Sequence, residues 1–405
     1  MEAVYERCCG IDVHKKIIVA CLRVGRKQET KEFGTSTNDL RDLANWLLEN
    51  NCQLAAMEST GSYWKPVYNV LEVLGQEVIV VNAHHIKNVP GRKTDVKDAE
   101  WIAQLLQWGL LKASYIPDRS QRELREIARY RKSLVEERAR EINRLEKTLQ
   151  GANIKLSSVV SEITGKSSRN IINALIGEGL SEENVDALLR GSLREKRNDI
   201  LKYCDGYLSS LQRKLVRAIV DHIDDMTRRI ADVDDIINGQ MRDYEEAIKK
   251  LEEIPGIAKR SAQVILAEIG LDMSRFPTAG HLAAWAGLAP GNNESAGKRK
   301  HGRTRKGNIT LKTTLIQSAK TAKAKKGSFF KAQFDRLAVK RGKNRAVVAV
   351  AHSMLIAIYN MLTFDVPFCD LGEDYYNRFN TEKKINHYLK KLLNLGWQLP
   401  ISAAT

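Results

Sequence analysis

Asp12 and Glu58 each sit in an apolar, strand-like run: Cys9-Gly-Ile-Asp-Val-His14 and Leu54-Ala-Ala-Met-Glu58. A carboxylate in such a run is costly unless it is paired or binds a metal. Asp95 and Asp98 follow in Thr94-Asp-Val-Lys-Asp98, which reads as a helix start with Thr94 as its N-cap. Three residues apart, the two acids share one side of that helix. The side continues through Ala99, Ile102 and Leu106, so both acids are expected to extend the core-facing stripe and not to point into solvent. Mg2+ takes hard carboxylate oxygens while keeping positions for water and phosphate. Two such ions can clamp an in-line displacement at phosphorus. The alternative gives Asp95 and Asp98 to the helix dipole and Asp12 to a lysine. For four acids together in a basic chain, the metal is the favoured reading.

The second feature is positive charge. The 405 residues hold 65 Lys and Arg against 49 Asp and Glu, a net charge of +16. Such an excess points to a polyanion, either nucleic acid or an anionic membrane surface. Residues 298 to 331 carry twelve of the cations and no acid. A solvated helix face normally mixes signs, so this run reads as a footprint for a phosphate backbone, with Lys298, Arg299, Lys300, Arg303, Arg305 and Lys306 at its core. Gly297, Gly302 and Gly307 recur through it and can bring backbone amides near phosphates. It is not a Walker loop, since Gly297-Lys298 is followed by Arg299, and no NTPase is expected.

Ser295 lies just before the run, in the turn-rich Ala289-Pro-Gly-Asn-Asn-Glu-Ser295. Nearby cations could stabilise charge on a phosphate that it attacked. On spacing alone, however, it reads as a turn residue. Upstream, Ile254-Pro-Gly-Ile257 with Lys259 and Arg260 is similar to a helix-hairpin-helix module, whose turn grips a nucleic-acid backbone; the alternative is a plain pair of helices.

Elements that must hold these groups can be read from periodicity. Up to Pro117, short branched runs (Ile17–Leu22, Val78–Val81) alternate with helical patterns (Asn38–Glu49, Pro66–Leu74), which implies an α/β sheet. No proline lies between Pro117 and Pro255, so helix can run unbroken there. Apolar seams between charged flanks over Gln121–Leu149 and Leu208–Leu251 suit antiparallel or intermolecular coiled-coil packing, or an ordinary bundle. The expected division is 1–118, an α/β domain; 119–250, a helical coiled-coil region; 251–365, a mainly α basic domain; and 366–405, an appendage with a helix near Lys384–Leu393.

Six cysteines show no CxxC pair, which disfavours a zinc site and fits a reducing cytoplasm. Met1 to Arg7 is polar, so no secretory signal is expected. The apolar run Val347–Leu362 contains His352, Ser353 and Asn360 and falls short of the ~20 apolar residues of a membrane span.

The order of the acids, strand Asp, strand Glu and then helical Asp-x-x-Asp, resembles the ribonuclease-H-like fold in its Holliday-junction-resolvase (RuvC) version. A wider resemblance rests on Gly10-Ile-Asp-Val-His-Lys15, Met57-Glu-Ser-Thr-Gly-Ser-Tyr63 and Lys93-Thr-Asp-Val-Lys-Asp-Ala99. In the second half it rests on Ile254-Pro-Gly-Ile257, Phe276 to Pro290, Ser295-Ala-Gly-Lys298 and Gly307-Asn308. These resemble the DEDD transposases of bacterial insertion sequences, the "one-ten" family of bridge-RNA-guided recombinases.

The resemblance implies a RuvC-like domain, a coiled-coil linker and a transposase domain with a nucleophilic serine. It assigns the acidic tetrad to Asp12, Glu58, Asp95 and Asp98, binding Mg2+, and the nucleophile to Ser295. It implies DNA as substrate, a structured guide RNA, a homo-oligomer (dimer or tetramer) in which the tetrad of one subunit meets the serine of another, and a bacterial cytoplasmic, nucleoid-associated protein with no membrane. The seams would then be assembly surfaces. Residues 150–250 carry no quotable family motif. The competing readings are a Mg-dependent junction-resolving or RNase-H-type nuclease using activated water, and a non-enzymatic nucleic-acid scaffold.

Overall fold

A computed structural model gives the fold and describes residues 3–59, 61–82, 86, 98–177, 179–291, 294–295, 298–299, 304, 306–378 and 381–397. The chain divides after Pro117 into two compact units, Met1–Pro117 and Asp118–Thr405.

The first unit is built on a five-stranded mixed sheet of order β3-β2-β1-β4-β5. Strands β1 (Arg7–Val13), β2 (Ile18–Val24) and β3 (Lys27–Phe33) form an antiparallel meander. Strands β4 (Leu54–Glu58) and β5 (Val78–Val81) are added parallel to β1 through crossover helices. The order and directions are those of a ribonuclease-H-like sheet.

Alternation along the strands separates two cores. Cys9, Ile11, Val13, Ala55 and Met57 pack under helices α1 (Thr37–Glu49) and α2 (Trp64–Val73). Ser36 starts α1 with a capping box, its side chain and the Asp39 carboxylate each taking the other's backbone N–H. On the opposite face, Cys8, Leu54 and Ala56 pack under Ile102, Leu105 and Leu106 of α3 (Asp98–Gln107). The polar strand β3, Lys-Gln-Glu-Thr-Lys-Glu-Phe, is a charged edge strand buried only at Phe33.

In the second unit, α4 (Arg119–Gly151) and α8 (Ser210–Gln240) run antiparallel. Arg131 pairs with Asp234, and further along Arg138 donates to Thr227 at 2.7 Å. Between them come the short helices α5 (Lys166–Ile176), α6 (Val185–Leu188) and α7 (Arg197–Tyr203), packed around Ile154, Ile171, Ile172, Ile200 and the adjoining ends of α4 and α8. The apolar seams read from the sequence therefore face each other within one chain. Leu124, Leu134, Leu145 and Leu149 are buried, as are Ile219, Ile223, Met226 and Val233, whereas Leu215 is exposed. The second helical pattern is interrupted at Met241, where a 3-10 turn, Arg242–Tyr244, precedes α9 (Glu245–Glu252).

The remaining helices are α10 (Lys259–Ile269), α11 (Ala279–Trp285), α12 (Ile309–Ala322), α13 (Phe329–Arg341) and α14 (Lys343–Phe364). Helix α14 packs against α11, α12 and α13. It runs for 22 residues, longer than the apolar stretch Val347–Leu362, and by length and composition it could cross a membrane. Here Val350, Ala351, Met354, Leu355 and Ile358 are buried as the centre of the bundle. Beyond it, Phe368 stacks on Phe330, and Tyr376 stacks on Phe329, before the last helix, Thr381–Asn394.

Candidate active site

Asp12 and Glu58 are brought together by strand register. β1 and β4 pair in parallel as far as Ile11 opposite Met57, and the next residues are Asp12 and Glu58. Counting by twos from Cys8 and Gly10, and from Leu54 and Ala56, places both acids on the face that carries α3. Helix α3 runs antiparallel to β1 above that face. Cys8 donates through Sγ to the Ala103 carbonyl at 3.6 Å, and Gly10 lies under Ala99. A Cβ on Gly10 would stand 2.2 Å from the Ala99 oxygen and 2.3 Å from the Ala103 nitrogen. Only glycine lets the helix lie this close. Two residues further along β1, Asp12 is on the side of the first described residues of α3, Asp98 and Ala99.

Asp12 and Glu58 thus share one end of one sheet face, and Asp98 lies on the helix above that face. Asp12 and Glu58 are half-buried, and Asp98 is exposed. The expectation that Asp98 extends the buried stripe is corrected: Ala99 is buried, whereas Asp98 beside it is exposed. Asp95 and Thr94 lie outside the described residues. Asp12 takes a hydrogen bond from His14 Nε2 at 3.0 Å, so among the described residues its partner is a histidine and not the lysine of the alternative reading. Among the described residues no three His, Cys, Asp or Glu side chains form a group that could hold a metal ion. As a donor set, Asp12, Glu58 and Asp98 offer carboxylate oxygens alone, which suits a hard divalent cation.

Ser295 is placed in a strand and not a loop. Glu294–Ser295 pairs antiparallel with Lys298–Arg299, and Ser295 is opposite Lys298. The same stretch, the arm between α11 and α12, closes on itself at two further points. At its root Asn308 N donates to the Trp285 carbonyl at 3.1 Å, and Pro290 bridges Thr304 further out. Gly307 permits the root to close, since a Cβ there would meet Gly287 N at 2.3 Å. This glycine therefore serves close backbone packing. Gly297 and Gly302 lie outside the described residues, as do Lys300, Arg303 and Arg305. Lys306 is exposed.

The Ile254-Pro-Gly-Ile257 turn is packed against α12. Gly256 has φ +86°, and a Cβ on it would stand 2.3 Å from the Ser318 carbonyl oxygen. Of its two basic residues, Lys259 is exposed and 3.9 Å from Glu245, whereas Arg260 pairs with Asp234 at 2.9 Å and donates to Gln263 at 3.0 Å.

One cluster was not anticipated. Glu268, 1% exposed, takes hydrogen bonds from Arg129 Nε and Nη2 at 2.7 and 2.8 Å and from Asn308 Nδ2 at 2.6 Å. Arg125 lies 3.5 Å away, over the Trp285 ring. The carboxylate raises the Arg129 pKa above its usual value, chiefly through the hydrogen bond. The signal available in the sequence was an acid inside the apolar run Val264-Ile-Leu-Ala-Glu-Ile269, the same signal that singled out Asp12.

Comparison with known proteins gives two matches in order along the chain. A family model for DEDD transposases of the IS110 type, described as a transposase, matches residues 9–154. A second, described as the transposase IS116/IS110/IS902 family, matches residues 248–335. The transposase candidate y4qE of Sinorhizobium fredii is 24% identical over 372 residues, covering 88% of this chain and 82% of its own. A protein of Streptomyces coelicolor, named as an uncharacterised 43.6 kDa protein of insertion element IS110, is 45% identical over 71 residues, 17% of each chain. T. thermophilus RuvC, solved in complex with a Holliday junction substrate, aligns over its whole length and 27% of this chain, at 13% identity and a TM-score of 0.21. Two models of one family, matched in order over more than half of the sequence, identify it: the chain belongs to the IS110 family of insertion-sequence transposases, enzymes that cut and rejoin DNA.

Proposed function

We propose that this transposase cuts and rejoins the DNA strands of an insertion sequence through a phosphoserine intermediate, with Ser295 as nucleophile and Asp12, Glu58, Asp95 and Asp98 as the acidic site. The observation that carries the reading is the register of Ser295 opposite Lys298, at the outer end of an arm that opens an acid-free basic segment. The nucleophile position and a cation position are therefore neighbours on adjacent strands. A positive charge there favours the anionic phosphate and the further charge that develops during attack.

The Ser295 hydroxyl attacks a DNA phosphorus. A P–Oγ bond forms as the P–O3′ bond breaks. The serine proton is lost, and the departing 3′-oxygen takes one up to become a hydroxyl. Attack by a 3′-hydroxyl on the phosphoserine reverses the step and reseals a strand. Bond count is conserved throughout, so rejoining needs no nucleoside triphosphate.

The family and the carboxylate donor set imply dependence on a divalent metal, and in this reading the metal is Mg2+. Asp12, Glu58, Asp95 and Asp98 would hold it in a RuvC-type arrangement. Bound there, the ion supplies charge neutralisation and Lewis-acid polarisation at phosphate oxygens. Gly10 lets α3 approach the sheet so that Asp98 and Asp12 occupy the same end.

The same reading includes a structured bridge RNA as guide, a dimer or tetramer in which one subunit's acids serve another's serine, and a bacterial cytoplasmic, nucleoid-associated location. It treats residues 1–118, 119–250, 251–365 and 366–405 as the working divisions. Lys298, Arg299, Lys300, Arg303, Arg305, Lys306, Lys259 and Arg260 would meet nucleic acid. Arg260 contributes least, because Asp234 already partners it. The test is to incubate the full chain and its co-purified RNA with element-end DNA and Mg2+, denature, and seek a protein–DNA adduct mapped to Ser295. Hydrolysis that persists in Ser295→Ala and is lost in Asp12→Asn would favour the water-using nuclease. Metal-independent binding with no cleavage would favour a scaffold.

A further inference from the structure

We propose that the buried carboxylate of Glu268 is a positioning group for the arm that carries Ser295, acting through Asn308. The proposal rests on the reading of Ser295 as nucleophile.

Asn308 holds three things at once. Its Oδ1 accepts from Leu311 N at 3.0 Å and caps α12; its backbone N–H closes the arm on Trp285; and its Nδ2 donates to Glu268 at 2.6 Å. Glu268 is in turn fixed by the two Arg129 donors, and the Arg125 guanidinium group donates to the Glu268 carbonyl as well as lying over Trp285. Both roots of the arm, Trp285 and Asn308, therefore touch one charged cluster drawn from α4 and α10. The neighbouring Gly287 and Gly307 backbones pack so closely that a Cβ on Gly307 would stand 2.3 Å from Gly287 N. Beyond that root Pro290 bridges Thr304, and Ser295 pairs with Lys298. A small rotation at the root becomes a displacement at the far end.

Burial alone does not account for the cluster. A well-packed apolar residue fills such space as well as a buried ion pair does, and often with greater stability. What the charged set adds is direction, because each of its hydrogen bonds fixes an angle as well as a distance. Misplacing a reacting atom by ~1 Å can cost ~10²-fold in rate.

Asn308→Ser is the informative variant. Serine retains a capping oxygen for α12 but has no amide to reach Glu268. Glu268→Gln and the double variant complete a cycle. DNA affinity and the rate of covalent adduct formation at saturating DNA are measured for the full chain with its bound RNA and Mg2+. The expected result for Asn308→Ser is a DNA Kd within about twofold of the parent and an adduct rate about ten- to a hundredfold lower. In the double variant the two losses should combine to less than their product, since both changes weaken one shared bond. A parental adduct rate in Asn308→Ser overturns the proposal. So does a fall in affinity that matches the fall in rate, or a double variant whose losses multiply. If Glu268→Gln does not fold, the Kd-against-rate comparison in Asn308→Ser decides alone. Ser295→Ala, run alongside, separates the two claims: an adduct that survives it removes the nucleophile reading itself.

Discussion

Gly10 lies so close under Ala99 that a methyl group on it would sit 2.2 Å from the Ala99 carbonyl oxygen. The atoms it would strike are backbone, which cannot swing aside. Gly10→Ala must therefore lift α3 from the sheet, at a cost of about 1–3 kcal/mol or more. The expected outcome is a thermal midpoint several degrees lower, with weaker metal protection against unfolding because Asp98 moves from Asp12. Gly25→Ala is not a suitable control, since that glycine has φ +59°. Gly151→Ala is, because a Cβ there meets nothing within 4 Å. Equal midpoints for Gly10→Ala and Gly151→Ala would show that the contact is not rigid.

The adjacent register of Asp12 and Glu58 gives a second expectation. Asp12→Asn and Glu58→Gln each preserve shape and remove a charge. Strand cleavage should fall by about 10²-fold or more in either, on the scale of lost charge stabilisation at a transferring phosphate. Binding of the same DNA, measured by fluorescence anisotropy, should weaken little. Cleavage at the parental rate in either variant would remove that acid from the site.

Basic residues in the arm act differently. Neutralising Lys298 and Arg299 together should weaken binding to all DNA sequences alike. It should also reduce the slope of log K against log salt by about one for each phosphate left without its cation. A salt titration of the double alanine variant checks this. An unchanged slope would place both side chains away from phosphate.

Glu268→Ala leaves Arg125 and Arg129 without their shared carboxylate. Removing one partner of a buried ion pair typically costs about 3–5 kcal/mol. Chemical denaturation should show a loss of that order in the second unit, larger than for Glu123→Ala, whose pair with Arg119 is exposed on both sides. Similar losses for the two would contradict the burial argument.

The thiols set an alkaline limit. Burial pushes Cys8 and Cys204 up to about 11 and Cys52 up to about 12. An unfolded thiol ionises near 9. Below that, both states are protonated and the contribution to stability is complete. As pH rises from about 9 through 11 to 12, the unfolded chain loses protons that the folded chain retains, so stability falls. Thermal midpoints taken from pH 8 to 11 should decline, and less steeply in a Cys8→Ala, Cys52→Ala variant. At pH 8 a thiol reagent should modify the exposed Cys369 and leave the buried five intact until unfolding. Rapid labelling of more than one thiol in the native protein would be inconsistent with these burials.

How much was legible in the sequence depends on the range of the interaction. Val78–Val81 and the helix near Asn38–Glu49 are local patterns, and they stand where periodicity put them, apart from a one-residue earlier helix start at Thr37. Strand β3 had no such pattern. Its charged residues pair with β2 at the sheet edge, and only that pairing makes them a strand. The seams on α4 and α8 were visible, but an apolar seam looks the same whether its partner is the same chain or another. Glu268 carried a local sign of burial, yet its partner Arg129 is 139 residues away, a distance no period reveals. Asp12 and Glu58 were marked by their apolar surroundings, and the register that puts them side by side belongs to the folded sheet.

Mass-spectrometric mapping of the adduct formed between the full chain and element-end DNA, in parallel for the parent and Ser295→Ala, addresses the central claim directly. The expected result is a nucleotide linked through phosphate to the Ser295 peptide in the parent and no adduct in the variant, which should still bind the DNA. An adduct on another residue, or one of equal yield in Ser295→Ala, would contradict it.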